Sequence, residues 1–202
     1  LMEQLLLNIK LPLQKTFENF IVGNNEECFN SLSNFILPNN DIFFIYIWGE
    51  SGCGKSHLAE AAKYKNITII EDIDQADQIK QIDIFNLYNE HKATNKKLLV
   101  TGSNNPNKMM LRKDLASRLS WGLVYKINLL SDIQKKLALT QYSKDRGLNL
   151  KIEIIEYLFR YYKRDLHSLI ATLDALDRWS LKTKRPITIP LLKEMNQKNL
   201  FD

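Results

Sequence analysis

Cysteine is scarce in this chain: Cys28 and Cys53 are the two thiols among 202 residues. Two isolated cysteines supply neither a disulfide framework nor the paired spacing of a zinc site. Long hydrophobic runs are missing as well. The longest spans residues 42–48, far short of the roughly 20 apolar residues that a membrane helix needs. The Leu-rich beginning is broken by Gln4, Asn8 and Lys10, which interrupts the continuous apolar stretch of a secretory leader. Leu1 ahead of Met2 reads as an appended residue. A cytoplasmic chain with no membrane partner is expected. A strong charge of one sign is also lacking. The net charge of +5 suits anionic partners without requiring nucleic acid. No zinc finger, RNA-recognition signature or separate basic helix–turn–helix is visible. With 45% hydrophobic and 25% charged residues, the composition is that of one globular domain, or of a core with a small annex.

What the sequence does contain is concentrated in one stretch. Gly49-Glu50-Ser51-Gly52-Cys53-Gly54-Lys55-Ser56 matches the phosphate-loop pattern G-x-x-x-x-G-K-[ST] at every constrained position. The apolar residues 42–48 precede it as a strand, and Leu58-Ala59-Glu60-Ala61-Ala62 follow it as a helix, the context the pattern requires. An isolated glycine-rich turn would lack that context. The glycines let the backbone curl until its N–H groups converge, and the helix N-terminus adds positive potential. Lys55 is placed to reach the outer phosphates of a nucleotide, and the Ser56 hydroxyl to help hold Mg²⁺. The expected nucleotide-binding set runs from Gly49 through His57.

A second signal follows in Ile67-Thr68-Ile69-Ile70-Glu71-Asp72. An apolar strand ending in two carboxylates has the form of a Walker B segment, in which one acid orders the Mg²⁺ shell and the next polarises the attacking water. Glu71 is assigned the first role and Asp72 the second. Only Tyr64-Lys65-Asn66 separate helix from strand, where many P-loop domains place another strand and helix. The sheet is therefore expected to be one βα unit short.

The chain divides into an arm (residues 1–22), an α/β core (23–129) and a helical end (130–202). Pro12 and the lack of a helical period predict an extended arm. Within it Gln4, Leu5, Leu7 and Ile9 offer one amide followed by spaced apolar groups. Such a peptide either binds a partner in extended form or packs on its own domain. Residues 24–37 read as helix. Residues 78–91 read as an amphipathic helix with Ile79, Ile82, Phe85, Leu87 and Tyr88 inward. A third strand ends in Thr101-Gly102-Ser103-Asn104, and small polar groups at a strand's carboxyl end lie beside phosphates in open α/β sheets. Trp48, before the loop, reads as core. A helix through Leu111, Leu115 and Leu119 carries Lys113, Asp114 and Arg118, and residues 123–127 give a fourth strand. From Ser131 the pattern is helical only. Ser131 and Gln134 form a capping box, Gly147 stops that helix, and three more helices follow, the second N-capped by Asp165. The fold class is α/β: a P-loop core with a parallel sheet and a C-terminal four-helix lid.

These segments together resemble an AAA+ module of the DnaA lineage and, more narrowly, the family of the DnaA regulatory inactivator Hda. The likeness rests on the opening Gln4-Leu5-Leu6-Leu7, on Thr16-Phe17-Glu18-Asn19-Phe20, on Ile84-Phe85-Asn86-Leu87-Tyr88-Asn89 and on Leu98-Leu99-Val100-Thr101-Gly102. It rests most on Asp114-Leu115-Ala116-Ser117-Arg118-Leu119-Ser120-Trp121-Gly122 and on Thr172-Leu173-Asp174-Ala175-Leu176-Asp177-Arg178. These run in family order over nearly the whole chain. The resemblance implies a regulatory protein that binds the DNA-loaded sliding clamp (the β subunit of DNA polymerase III) and stimulates hydrolysis of DnaA-bound ATP, preventing re-initiation of replication. It implies that Gln4, Leu5, Leu7 and Ile9 contact the clamp, that Arg118 is an arginine finger acting in trans on DnaA, and that Thr101 stands at the sensor I strand end. ADP or ATP with Mg²⁺ is the implied ligand, ADP being the family expectation. On the residues alone, Arg118 reads as a solvated helix arginine.

Three departures from the family pattern bear on activity. Relatives place a sensor II arginine where this chain has His167, and a histidine supplies no fixed charge there. Arg164, one turn earlier, is the alternative source of charge. Glu71 stands where Asp is usual, and the βα unit is missing. Together they predict weak or no intrinsic ATPase activity. In the N-terminal peptide, Asn8-Ile9 replace a frequent Pro-Leu, which predicts weaker clamp binding. The sequence stops after the lid, so no sequence-specific DNA contact is expected, and Lys108, Arg112 and Lys113 beside Arg118 would instead meet acidic surface or phosphates. Competing readings are a helicase-loader-like AAA+ module and a free-standing P-loop ATPase or small-molecule kinase. Oligomeric state stays open, a homodimer that hides the N-terminal peptide included.

Overall fold

A computed structural model describes residues 14–63, 67–148 and 150–197. Its centre is a sheet of β1 (Phe44–Trp48), β2 (Thr68–Ile70), β3 (Leu98–Gly102) and β4 (Leu123–Lys126), in the spatial order β2-β3-β1-β4. Every neighbouring pair is parallel, and Tyr46 on β1 stands between Val100 and Val124. Parallel strands need crossover connections, which bring helices onto both faces. Here α1 (Glu26–Phe35) and α2 (Lys55–Lys63) cover one face, and α3 (Gln78–Thr94) and α4 (Lys113–Ser120) the other. Strand side chains alternate between the two layers. Ile45, Ile47 and Leu99 pack with Leu32, Phe35 and Leu58, while Phe44, Tyr46, Leu98 and Val100 pack with Tyr88, Leu115 and Leu119. Burial on both faces is why these strands read as unbroken apolar runs.

The inward face of α3 differs from the one its apolar residues predict. Ile79 is 73% exposed and Ile82 also faces solvent, whereas Gln81, Ile84, Tyr88 and His91 are buried. Two of the four inward positions are polar, and each is satisfied. The Gln81 amide donates to the Ala76 carbonyl and accepts from the Arg112 N–H. His91 donates from Nδ1 to the Leu87 carbonyl and accepts the Thr68 hydroxyl at Nε2. Hydrogen bonding, not apolarity, sets the rotation of this helix.

The remaining helices are α5 (Asp132–Asp145), α6 (Ile152–Tyr161), α7 (Leu166–Thr183) and α8 (Ile189–Gln197), packed on a separate core that includes Leu139, Leu158, Leu173, Leu176 and Leu192. The capping box at Ser131 is complete in both directions, and Gly147 takes φ 69° after α5. The two cores are tied where β4 leaves the sheet: the buried Asn25 amide donates to the Asn128 carbonyl and accepts its N–H. Among the described residues no helix is long and apolar enough to cross a membrane.

Candidate functional site

β1 delivers the glycine-rich loop at the carboxyl edge of the sheet, and α2 begins at Lys55. A Cβ at Gly49 would collide with the Ile127 carbonyl, so only glycine allows the loop to pass β4 this closely. Gly52 and Gly54 take φ +80° and +107°. Lys55 is buried; its ammonium donates to the Gly49 carbonyl at 2.7 Å and to the Glu50 carbonyl at 3.1 Å, inside the curl of the loop. Burial pushes the Cys53 thiol up, and nearby Lys55 opposes this less strongly. The residue is therefore a packing element and not a thiolate nucleophile. Glu50, Ser51 and Ser56 are exposed.

The described part of the arm is folded back, not extended. Thr16 and Asn19 exchange side-chain to backbone bonds, and Phe17 and Phe20 both pack on Phe29. His57 Nε2–H donates to the Thr16 carbonyl at 2.9 Å, and its ring meets the edge of Phe20. Burial pushes the His57 imidazole down, which favours its neutral form, while the Thr16 carbonyl acts the other way. A Lys15–Glu60 ion pair of 2.9 Å adds a second tie. A Cβ at Gly54 would lie 2.8 Å from the Phe20 ring, so the arm rests on the loop itself. Gln4, Leu5, Leu7 and Ile9 lie outside the described residues.

Arm, loop and helical end enclose a cleft of about 420 Å³, within the usual range for small-molecule sites. Lys15, Phe20 and Ile21 form one wall, Gly52, Cys53, Gly54 and His57 the floor, and Ala138, Tyr142, Arg146, His167, Ile170 and Asp174 the opposite wall. That wall holds a polar cluster. The Tyr142 hydroxyl donates to the Asp174 carboxylate at 2.8 Å and accepts from Arg146 Nη2 at 2.8 Å, and the guanidinium lies over the Tyr142 ring. Burial, then the Asp174 contact, pushes the Tyr142 hydroxyl up to about 12. Arg146 Nε is buried without a protein partner. Nothing in the sequence singled out Tyr142 or Arg146 beyond their i,i+4 spacing, because Asp174 comes from a distant helix.

The predicted acids behave less uniformly. Glu71 and Asp72 are exposed just beyond β2. Asp72 takes φ 49°, unusual for a non-glycine residue, and its N–H donates to the Thr101 hydroxyl at 3.1 Å. Ser103 N–H donates to Asp74, fixing the same turn. Thr101 is fully buried and lines no part of the cleft; it holds the acidic turn. Arg164 is engaged elsewhere: it donates to the Phe159 carbonyl and to Asp132, and is not part of the cleft wall. It does not replace the charge absent at His167. Arg118 sits on α4 with its guanidinium over the Phe85 ring, and it too lies outside its own chain's cleft.

Residues 132–195 match the family described as the lid domain of Hda. The fold as a whole is shared with domain III of the replication initiation protein DnaA from Thermotoga maritima, at TM-score 0.82 and 17% identity over 93% of this chain and 98% of that one. The chain thus joins an Hda-like lid to a fold shared with DnaA domain III. A replication initiator DnaA bound to AMPPCP and single-stranded DNA also superposes, at TM-score 0.74 and 18% identity over 94% of this chain and 69% of that one. AMPPCP-bound DnaA from Aquifex aeolicus does so at 0.68 and 21%, over 83% and 66%. At these identities the likeness establishes the fold, and the α5–α8 region of the Hda lid match supplies one wall of the cleft.

At the carboxyl edge of the sheet the donor set suits Mg²⁺. Among the described residues no three metal-binding side chains cluster, as expected for an ion that takes one or two carboxylates and fills its shell with water and phosphate oxygens. β2 stands two strands from β1, about 10 Å at the usual spacing. The longer Glu71 side chain with an intervening water suits that gap. Replacing His167 by arginine adds a fixed cation to the cleft wall. The variant is expected to bind ATP roughly tenfold more tightly, on the scale of one charge-assisted hydrogen bond. Equilibrium binding of a fluorescent ATP analogue measures this, and unchanged affinity would place His167 away from the outer phosphates.

Proposed function

We propose that this chain is a regulatory AAA+ protein of DNA replication that acts on the ATP held by DnaA. The observation that carries the reading is the position of Arg118: it lines no part of its own cleft and stands on a separate helix face. An arginine so placed is open to a nucleotide held by another chain. A guanidinium supplied by a neighbour neutralises transition-state charge and is typically worth about 10³–10⁵ in rate.

The cleft itself would hold ADP or ATP. Loop N–H groups from Gly49 to Ser56 and the Lys55 ammonium take the phosphates, while Phe20, Ile21, Ala138 and Ile170 enclose the nucleoside. Ser56 and Glu71, the latter through water, would hold Mg²⁺, which when bound screens the phosphate charge. Asp72 would polarise the attacking water, yet no cation stands at position 167 to complete the site, so the bound nucleotide serves as structural or switching ligand. The N-terminal peptide, with Gln4, Leu5, Leu7 and Ile9 as its contacts, would deliver the protein to the sliding clamp on DNA in the cytoplasm. The outcome is negative regulation of replication initiation.

The test is ATP hydrolysis by DnaA with clamp loaded on DNA, in the presence of this protein or of its Gln4→Ala/Leu5→Ala variant. Stimulation by the parent chain, reduced in the variant and restored by raising its concentration, supports both partners. DnaA turnover that is indifferent to the parent chain sinks the reading.

A further inference from the structure

The face made by α3 and α4 carries apolar exposure that the fold does not use. Ile79, Met110 and Trp121 are 73%, 100% and 74% exposed, and Ile82 is exposed with them. Three contacts set the geometry: Arg112 N–H meets Gln81, Arg118 lies over Phe85, and Lys92 lies over Trp121. The two helices therefore run side by side in the same direction. Ile79, Ile82 and Phe85 follow one another at three-residue steps on α3, so each adjoins the next. Met110 stands just before α4, and Trp121 comes one turn after Arg118. The apolar groups thus bracket the guanidinium from both ends, and Phe85 holds it from beneath.

Cations outnumber acids on this face, where Asp83 and Asp114 are the exposed carboxylates nearest the rim. Arg112 is paired with Asp114 at 2.8 Å, whereas Lys92, Lys108 and Lys113 are exposed and have no ion pair among the described residues. A shallow groove of about 400 Å³ opens along α4, with Met109, Ser117 and Trp121 in its walls. Exposed cations around an apolar rim describe a partner that presents an anion framed by apolar groups. A nucleotide held at the edge of a second AAA+ chain has that chemistry.

We propose that Ile82, Met110 and Trp121 form the docking rim that seats Arg118 against the nucleotide-bearing edge of DnaA, with Trp121 as the anchor. The proposal rests on the trans role of Arg118 given above. A buried tryptophan beside an arginine is the usual make-up of an energetic centre, and the surrounding contacts act by excluding water. Phe85 orients the planar guanidinium before docking.

The experiment reads two quantities for the full chain with ATP-bound DnaA: the dissociation constant, and DnaA hydrolysis at saturating regulator. Trp121→Ala and Ile82→Asp are expected to raise the dissociation constant by about tenfold or more and to leave hydrolysis at saturation near the parent value. Arg118→Ala is expected to do the reverse, with hydrolysis lost and binding changed by less than about threefold. Leu181→Asp, at an exposed apolar position on α7, serves as control, and unchanged melting temperatures confirm folding. Parent-like binding by both rim variants overturns the docking rim while leaving the Arg118 reading in place. A parent chain that neither binds nor stimulates DnaA rejects the functional reading and the rim with it. If the rim variants lose only binding to an oligothymidine, the face contacts single-stranded nucleic acid and the proposal falls.

Discussion

Arg118→Ala is expected to return DnaA-bound ATP hydrolysis to its unstimulated rate, a loss of about 10³-fold or more if the finger supplies the usual share of transition-state stabilisation. The size of the effect follows from where the charge goes. In the transition state negative charge spreads over the equatorial oxygens of the transferred phosphoryl group, and a planar guanidinium contacts two of them at once. Arg118→Lys is the sharper variant. It keeps the charge but replaces a rigid fork with a point charge on a flexible stem, so it is expected to recover well under a tenth of the stimulation. The control is ADP binding by the chain itself, at a cleft that Arg118 does not line. Stimulation that survives Arg118→Ala would discard this residue as the finger while keeping DnaA as a partner.

The parts of this molecule legible in the sequence are those fixed by local pattern. The loop from Gly49 to Ser56, the capping box at Ser131 with Gln134, the Asp165 cap and the stop at Gly147 all appear at the expected positions. So do the four parallel strands, and in the central β1 and β3 burial on both faces writes itself as continuous apolar sequence. What was not legible depends on partners far away in the chain. Ile79 and Ile82 were expected inside α3, yet Gln81 and His91 take those places through bonds to residues 5 to 31 positions distant. Hydropathy cannot rank a polar residue whose hydrogen bonds are fully met. The cluster of Tyr142, Arg146 and Asp174 was invisible for the same reason, since its members come from α5 and α7. Thr101 was located correctly at a strand end, but its partner, the Asp72 N–H, emerged only from the pairing of β2 with β3. The arm gave the opposite error: Pro12 pointed to extension, and packing of Phe20 against Gly54 folds residues 14–22 onto the loop.

The second large effect concerns Lys55. Lys55→Ala is expected to weaken ADP binding by at least about 100-fold. A hydrogen bond to a charged group contributes about 1.5–3 kcal/mol, and a lysine reaching two phosphate oxygens loses two, which amounts to about 10²–10⁴ in affinity. The same substitution also strips the Gly49 and Glu50 carbonyls of their buried donor. Unmet acceptors of this kind cost about 1–3 kcal/mol, so the variant will melt earlier without any ligand. The two effects separate in one experiment, because a ligand that binds only the folded state raises its stability in proportion to the logarithm of its excess over the dissociation constant. Melting curves recorded with and without millimolar ADP should show a clear upward shift for the parent chain and almost none for Lys55→Ala. A lowered melting temperature with an undiminished ADP shift would make Lys55 a brace for the loop alone, and the phosphates would then be held by the backbone N–H groups. The ammonium already donates to the Gly49 and Glu50 carbonyls inside the curl, so the phosphate role requires bound ADP to draw it onto phosphate oxygens, and the size of the ADP-dependent shift reads that exchange.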